Sequence, residues 1–313
     1  MRYTGNANNL LWYLFIPFLL IFYISFIFWS NQNYVNKPVY EAVKNKQLAI
    51  NSLESIDGVI LGGSNAWWGI SAKSLNRLTD LTWANLAVPA EGYSDINYGN
   101  FIASSLSDVK KQDISFVVYS SGTLVRKNNF RKRKRKNNPT NLVGKNNISY
   151  KPQRSLASYI KSFMNLTKYR PYPLENEYGD FGFSDYPCGP FNQMSMKPRD
   201  YLNEGDLRIW TSEQMTQISE LFPNAKIVIV VPNGFNKNRK EPNNDARGNL
   251  IKELKNILLM REEIGKRSVY LVSEKPFPSS DLMCRDDWHA NEDGREWRTN
   301  ELYQSIKDQL LNK

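Results

Sequence analysis

Two short stretches carry residue types that could do chemistry together. Near the amino-terminal third, Gly58-Val59-Ile60-Leu61-Gly62-Gly63-Ser64-Asn65 runs from apolar residues into two glycines and a serine. Near the carboxyl end, Asp286-Asp287-Trp288-His289-Ala290-Asn291-Glu292-Asp293-Gly294 sets a carboxylate three residues before a histidine. A serine hydroxyl is a weak nucleophile until a base takes its proton; imidazole is the usual base and a carboxylate its usual orienting group. The chain has one histidine, so any Ser-His chemistry must use His289. Taken alone, Ser64 could equally be a helix N-cap, and a lone histidine could be purely structural.

The elements that must position these residues follow from hydrophobic patterning. Strand-like apolar runs are predicted at Gly58–Leu61, Leu81–Ala87, Ile114–Tyr119, Lys226–Val231 and Ser268–Val272. Helical spacing separates them at Ser71–Leu78, Ser94–Ser107, Asp206–Phe222 and Asn244–Ile264, and a closing helix is expected over Gly294–Leu311. Continuous apolar strands alternating with helices predict an α/β fold, a flavodoxin-like three-layer α/β/α arrangement around a parallel sheet. In such sheets ligands bind beyond the carboxyl ends of the strands. Ser64 is expected there, with Gly62 and Gly63 permitting a tight turn.

Residues 1–9 read as a polar tail. Leu10 to Trp29 is about 20 residues without a charge, the length that crosses a bilayer as a helix. Aromatics at both ends suit the membrane interfaces, and no small-residue cleavage site follows, so 10–30 is expected to be an uncleaved single-pass anchor. Residues 31–50 read as a polar connector with a helical stretch, and 51–313 as the α/β domain. Within that domain, about 124–205 lacks the strand-helix rhythm and is expected to be an insertion over the active-site edge.

The net charge of +10 is local. Arg126, Lys127, Arg131, Lys132, Arg133, Lys134, Arg135 and Lys136 fall in one loop, and the rest of the chain carries only +2. No nucleic-acid-binding signature accompanies that loop, so no nucleic-acid partner is expected. Contact with anionic glycan, lipid headgroups or a partner is its functional reading, and a solvated loop the plain one. One histidine and two well-separated cysteines make a zinc site implausible, and neither a metal nor a cofactor is expected. Cys188 and Cys284 could form a disulfide if the body faces an oxidising space, or remain two buried thiols.

Gly62-Gly63-Ser64 after the first strand, with Asp286-x-x-His289-x-Asn291-x-x-Gly294 before the last helix, resembles the SGNH (GDSL-like) hydrolase superfamily over about residues 55–312. The resemblance implies Ser64 as nucleophile, His289 as base and Asp286 as its orienting carboxylate. It also implies an oxyanion hole with a glycine after the second strand, for which Gly92 is the candidate. The asparagine expected after the third strand is absent; Ser120 and Ser121 stand there and could replace it. Trp67 and Trp288 flank the motifs and are candidates for stacking on a sugar ring, although tryptophans are most often core residues.

With a membrane anchor, the pattern looks similar to the SGNH-like proteins that move acyl groups on bacterial envelope polysaccharides, such as the D-alanylation and alginate O-acetylation proteins. That likeness implies a serine acyltransferase or esterase working through acyl-Ser64, at the extracytoplasmic face of the inner (cytoplasmic) membrane. Its substrates would be an envelope glycan and an acyl donor. The alternatives are a simple carbohydrate or lipid esterase, and an accessory protein with a weak or inactive site that partners a membrane-bound O-acyltransferase.

Overall fold

The computed structural model describes residues 15–25, 37–88, 103, 106–125, 174–183, 188, 202–232, 244–263, 270–273, 279–284 and 289–311. The chain divides into two compact units, residues 1–41 with 140–171 and residues 42–139 with 172–313. In the first unit, residues 15–25 form a helix, α1, whose apolar side chains from Phe15 to Ile24 are exposed. Among the described residues no helix is long and apolar enough to cross a membrane. Both ends of the expected 10–30 span lie outside those residues.

The second unit is built on five parallel strands: β1 (Gly58–Gly62), β2 (Trp83–Asn85), β3 (Phe116–Ser120), β4 (Lys226–Val230) and β5 (Tyr270–Ser273). Their spatial order is β2-β1-β3-β4-β5, the doubly wound order the alternation predicted. β1 and β3 are buried at every position, which explains why they read as continuous apolar runs rather than alternating ones. Helices cover both faces. Val118 and Ile60 join a core with Trp67, Leu302 and Ile306. The next β3 residue, Tyr119, points the other way, stacks on Trp210 and donates from its hydroxyl to Gln214 Oε1 at 2.9 Å.

The helices are α2 (Lys37–Asn51), α3 (Ser64–Gly69), α4 (Ala72–Thr79), α5 (Asp108–Asp113), α6 (Glu204–Leu221), α7 (Asn244–Glu263) and α8 (Glu292–Leu311). Their ends follow side-chain chemistry. Ser71, Ser107 and Asn203 cap α4, α5 and α6 by accepting from a backbone N–H three residues on. Most of the predicted Ser94–Ser107 helix lies outside the described residues.

Two features extend the sequence reading. Residues 42–50 are not only a connector: Ala42, Val43, Lys46 and Ile50 are buried in the body, so the compact unit begins before residue 51. Nor is the 124–205 stretch only a cover. Its segment 174–183 reaches the interior, closing a bridge between Leu174 and Phe181 and burying Asp180 completely. The Asp180 carboxylate accepts from Ser71 Oγ, Ala72 N and Lys73 N at 2.8–3.0 Å, and from Asn85 Nδ2 at 3.2 Å. The start of α4 is where orphan N–H groups and the helix dipole favour a negative charge.

Lys46 is the cation in this interior. Its ammonium donates to Asn85 O at 2.7 Å and to Ala87 O, and lies 4.4 Å from the Trp67 ring centroid. Burial pushes its pKa well below the ordinary lysine value of 10.5, and the Asp180 charge pulls part of that back. Between the depressed folded value and 10.5 the unfolded chain holds a proton that the folded chain does not. Stability from this group must therefore rise with pH across that window and be lost as pH falls through it. Urea midpoints of the wild type minus those of Lys46→Met should climb with pH; a flat or falling difference would contradict this environment for Lys46.

Candidate active site

Ser64 is placed by the turn at the carboxyl end of β1. Gly62 has φ +142°, a conformation open to glycine, and a Cβ there would lie 2.0 Å from Ser120 O. The close approach exists because Gly62 and Ser120 are register partners in the sheet. Gly63 then caps α3, with Ala66 N and Trp67 N both donating to Gly63 O. Ser64 and Asn65 precede the first N–H groups that bond within the helix, so their amides face the end of α3.

His289 comes from the opposite end of the sequence. It lies in a two-residue strand, β7 (His289–Ala290), paired antiparallel with β6 (Met283–Cys284). The corner after it is fixed by Asn291, whose side chain accepts from Gly294 N at 2.8 Å and donates to Asp281 O at 2.6 Å. Gly294 is required there, since a Cβ would meet Leu282 O at 2.0 Å. Two members of the carboxyl-terminal motif, Asn291 and Gly294, thus act by shaping the turn into α8.

The result is a contact across 225 positions of sequence: His289 Nε2 lies 2.8 Å from Ser64 Oγ, with both residues half-buried. The distance and the atoms are those of a hydroxyl beside its base. Asp286, expected to orient the imidazole, lies outside the described residues, as do Trp288 and Gly92.

An aromatic wall lies beside the pair. The Trp68 ring is 4.7 Å from the His289 ring and stacks on Phe181 at 4.1 Å, with Phe183 edge-on to both. Trp67, a candidate for sugar stacking, packs edge-on against Phe181 from the interior side. It is fully buried, donates from its indole N–H to Gly179 O at 2.9 Å and faces Lys46. Adjacent helical residues point about 100° apart, so one of the tandem tryptophans enters the core while its neighbour meets the imidazole.

The third-strand serines also differ from expectation. Ser120 and Ser121 are both fully buried, so neither offers a hydroxyl to a substrate in this conformation. Ser120 Oγ instead accepts from Asn65 Nδ2 at 2.8 Å and from an Arg298 guanidinium nitrogen at 3.3 Å. Ser120 is a buttress behind Asn65. Burial, and after it the like charge of Arg247, pushes the Arg298 pKa down to about 9. Cationic groups behind this sheet edge favour negative charge developing in front of it.

Sequence reasoning missed Asp180, Lys46 and Arg298. Lys46 left a signal: Ala42, Val43, Lys46 and Ile50 fall at helical spacing, which puts a lysine on an otherwise apolar face. Asp180 left none, being an acid in an irregular segment. Cys188 and Cys284 are disulfide-bonded. Among the described residues no group of His, Cys, Asp and Glu could hold a metal ion.

Sequence comparison finds no matching protein family and no matching curated protein. Solved structures with similar shape include a family two carbohydrate esterase from Clostridium thermocellum in complex with cellohexaose. It is 12% identical, with 82% of this chain and 65% of that chain covered and a TM-score of 0.42. A Clostridium thermocellum family 3 carbohydrate esterase is 12% identical, with 83% and 98% covered and a TM-score of 0.37. An acetyl xylan esterase from the rumen bacterium Butyrivibrio proteoclasticus is 10% identical, with 82% and 65% covered and a TM-score of 0.39. The chain spans about two thirds of the length of the first and third of these.

Gly62→Ala tests the turn. A methyl group 2.0 Å from Ser120 O must displace β1 from β3 or move Ser64. The variant should lose reactivity at Ser64 by roughly 100-fold, the scale of a misplacement of about 1 Å, as measured by labelling with a serine-directed fluorophosphonate. Full labelling would show that the turn does not set the hydroxyl.

Proposed function

We propose that this protein is a serine-dependent ester hydrolase or acyltransferase with Ser64 as nucleophile and His289 as base. The observation that carries the reading is the 2.8 Å contact of His289 Nε2 with Ser64 Oγ. In the first half-reaction Nε2 takes the hydroxyl proton as Oγ bonds to the acyl carbonyl carbon. The amide at the end of α3 faces the oxygen that becomes negative. The imidazolium then gives its proton to the departing alcohol oxygen, leaving acyl-Ser64. In the second half-reaction His289 deprotonates an acceptor hydroxyl, which attacks the acyl carbon and releases Ser64. Water as acceptor gives an esterase, and a sugar hydroxyl gives a transferase.

More narrowly, we infer O-acyl groups, acetyl foremost, on a bacterial cell-envelope polysaccharide as the substrate class. The support is the sequence resemblance to SGNH-like envelope proteins; Trp68 and Phe181 are buried and back the base rather than offer a face to a sugar. In the same reading Asp286 orients His289, Gly92 donates to the oxyanion, and Leu10 to Trp29 tethers the protein to the membrane with its body outside the cytoplasm.

A fluorophosphonate probe should label the wild type and not Ser64→Ala. Hydrolysis of p-nitrophenyl acetate should fall at least about 10³-fold in Ser64→Ala and in His289→Gln. Labelling that persists without Ser64 would overturn the assignment. Absence of labelling in folded wild type would favour the accessory role beside a membrane-bound O-acyltransferase, a reading supported by the burial of both third-strand serines. Counting acetate released against acetyl moved to an oligosaccharide separates esterase from transferase.

The tether has its own test. On cell fractionation the full chain should sediment with membranes and resist extraction by alkaline carbonate, while a chain starting at residue 31 should be released. Recovery of the full chain in the soluble fraction would remove the anchor.

A further inference from the structure

The strand that carries the base packs against α3 and α8, but its own ladder is short. β7 is two residues long, and its ladder with β6 consists of two residue pairs, Met283 with Ala290 and Cys284 with His289. So short a two-stranded ribbon is not stable by itself. The bonds that close the corner, Asn291 N to Leu282 O and Asn291 Nδ2 to Asp281 O, tie this hairpin to its own flank and to the start of α8.

One covalent link leaves the hairpin, and it starts at the residue directly opposite the base. Cys284 faces His289 in the ladder and is bonded to Cys188, 96 positions earlier. Cys284 is buried in the core that holds Trp68 and Phe181, and half-buried Cys188 packs against the same core. The chain a few residues before Cys188 is itself fixed. Asp180 anchors it to α4, and Arg295 donates to Phe181 O and Glu175 Oε2, both at 2.8 Å. The bond therefore joins the insertion to the short ladder that carries the base.

We propose that the Cys188–Cys284 disulfide is a positioning element for the base, keeping β6 seated so that its register presents His289 Nε2 to Ser64 Oγ. The proposal rests on the reading of Ser64 and His289 as nucleophile and base. Without the bond, β6 and β7 keep two residue pairs and the imidazole gains freedom relative to α3. A displacement of about 1 Å at a reacting group lowers rate by as much as about 100-fold while leaving binding groups in place.

The test uses the full chain, oxidised and then reduced. A dithiol supplies two electrons and two protons, converts the disulfide to two thiols and closes to its own cyclic disulfide; a thiol count verifies completion. The Cys188→Ser/Cys284→Ser double variant is the second route to the same state. The readouts are kcat and KM on p-nitrophenyl acetate, far-ultraviolet circular dichroism, and the ring ¹H–¹³C resonance of histidine. That resonance is unambiguous because the chain has one histidine.

Breaking the bond should lower kcat about 10- to 100-fold with KM within about twofold. The ring resonance should move or broaden, the dichroism should hold, and reoxidation should restore the reduced wild type. An unchanged kcat, or an unchanged ring resonance, overturns the proposal. So does a loss of dichroism that tracks the loss of activity, because the bond would then be holding the whole fold. If the oxidised wild type hydrolyses nothing, the proposed function fails separately, and the ring resonance still decides the positioning role.

Discussion

A carboxylate sealed from water must be neutralised by the protein around it, and the burial of Asp180 imposes that requirement on four separate parts of the chain. Charge burial without partners costs several kcal/mol or more. The cost is offset here by the N-terminus of α4, the Asn85 amide, the Asn176 amide and the field of Lys46. Each of these groups is fixed by the same need. α4 must start at Ser71, β2 must end where Asn85 can reach inward, and α2 must dock with Lys46 facing the interior. The segment 174–183 is held although it has almost no regular structure.

That constraint reaches the reacting atoms by short steps. The Trp67 indole donates to Gly179 O, beside Asp180, and so ties α3 to the anchored segment. Trp68, the next residue, lies against His289. On the other side, Ser71 N donates to Thr299 Oγ1 and Ser74 Oγ to Glu296, which join α4 to the helix that follows the base. Ser64 and His289 belong to opposite ends of the sequence, yet their immediate supports share one polar interior. A site built on such supports is preorganised before any substrate arrives.

The legible part of this molecule was the part governed by periodic burial. Lys226–Val230 and Phe116–Ser120 stand out because a strand covered on both faces must be apolar throughout. Ser64 and His289 were legible because few residue types do nucleophilic chemistry and only one histidine was present. What stayed hidden were interactions without period. Asp180 lies in an irregular stretch, and nothing in sequence distinguishes a buried acid there from a solvated one. Trp67 and Trp68 are the same residue in tandem, and only the rotation of a short helix decides which meets the imidazole. The burial of Ser120 and Ser121 was equally hidden, because position after a strand does not say which way a hydroxyl faces.

The two kinds of support differ in how they would fail. The Asp180 interior is a network whose donors come from the start of α4, from β2 and from the segment itself, so loss of one bond leaves the others to hold position. The hairpin bearing His289 is held differently, by packing against α3 and α8 beside a short ladder. Its ladder is two pairs long, and its single covalent link stands opposite the base. The nucleophile therefore follows a strand paired on both sides, and the base lies on a strand paired on one. That asymmetry follows from topology. Ser64 follows β1, an interior strand of the five-stranded parallel sheet with β2 on one side and β3 on the other. Among the described residues His289 lies outside the main sheet, in the separate β6–β7 ladder, where the disulfide at Cys284 adds a covalent constraint.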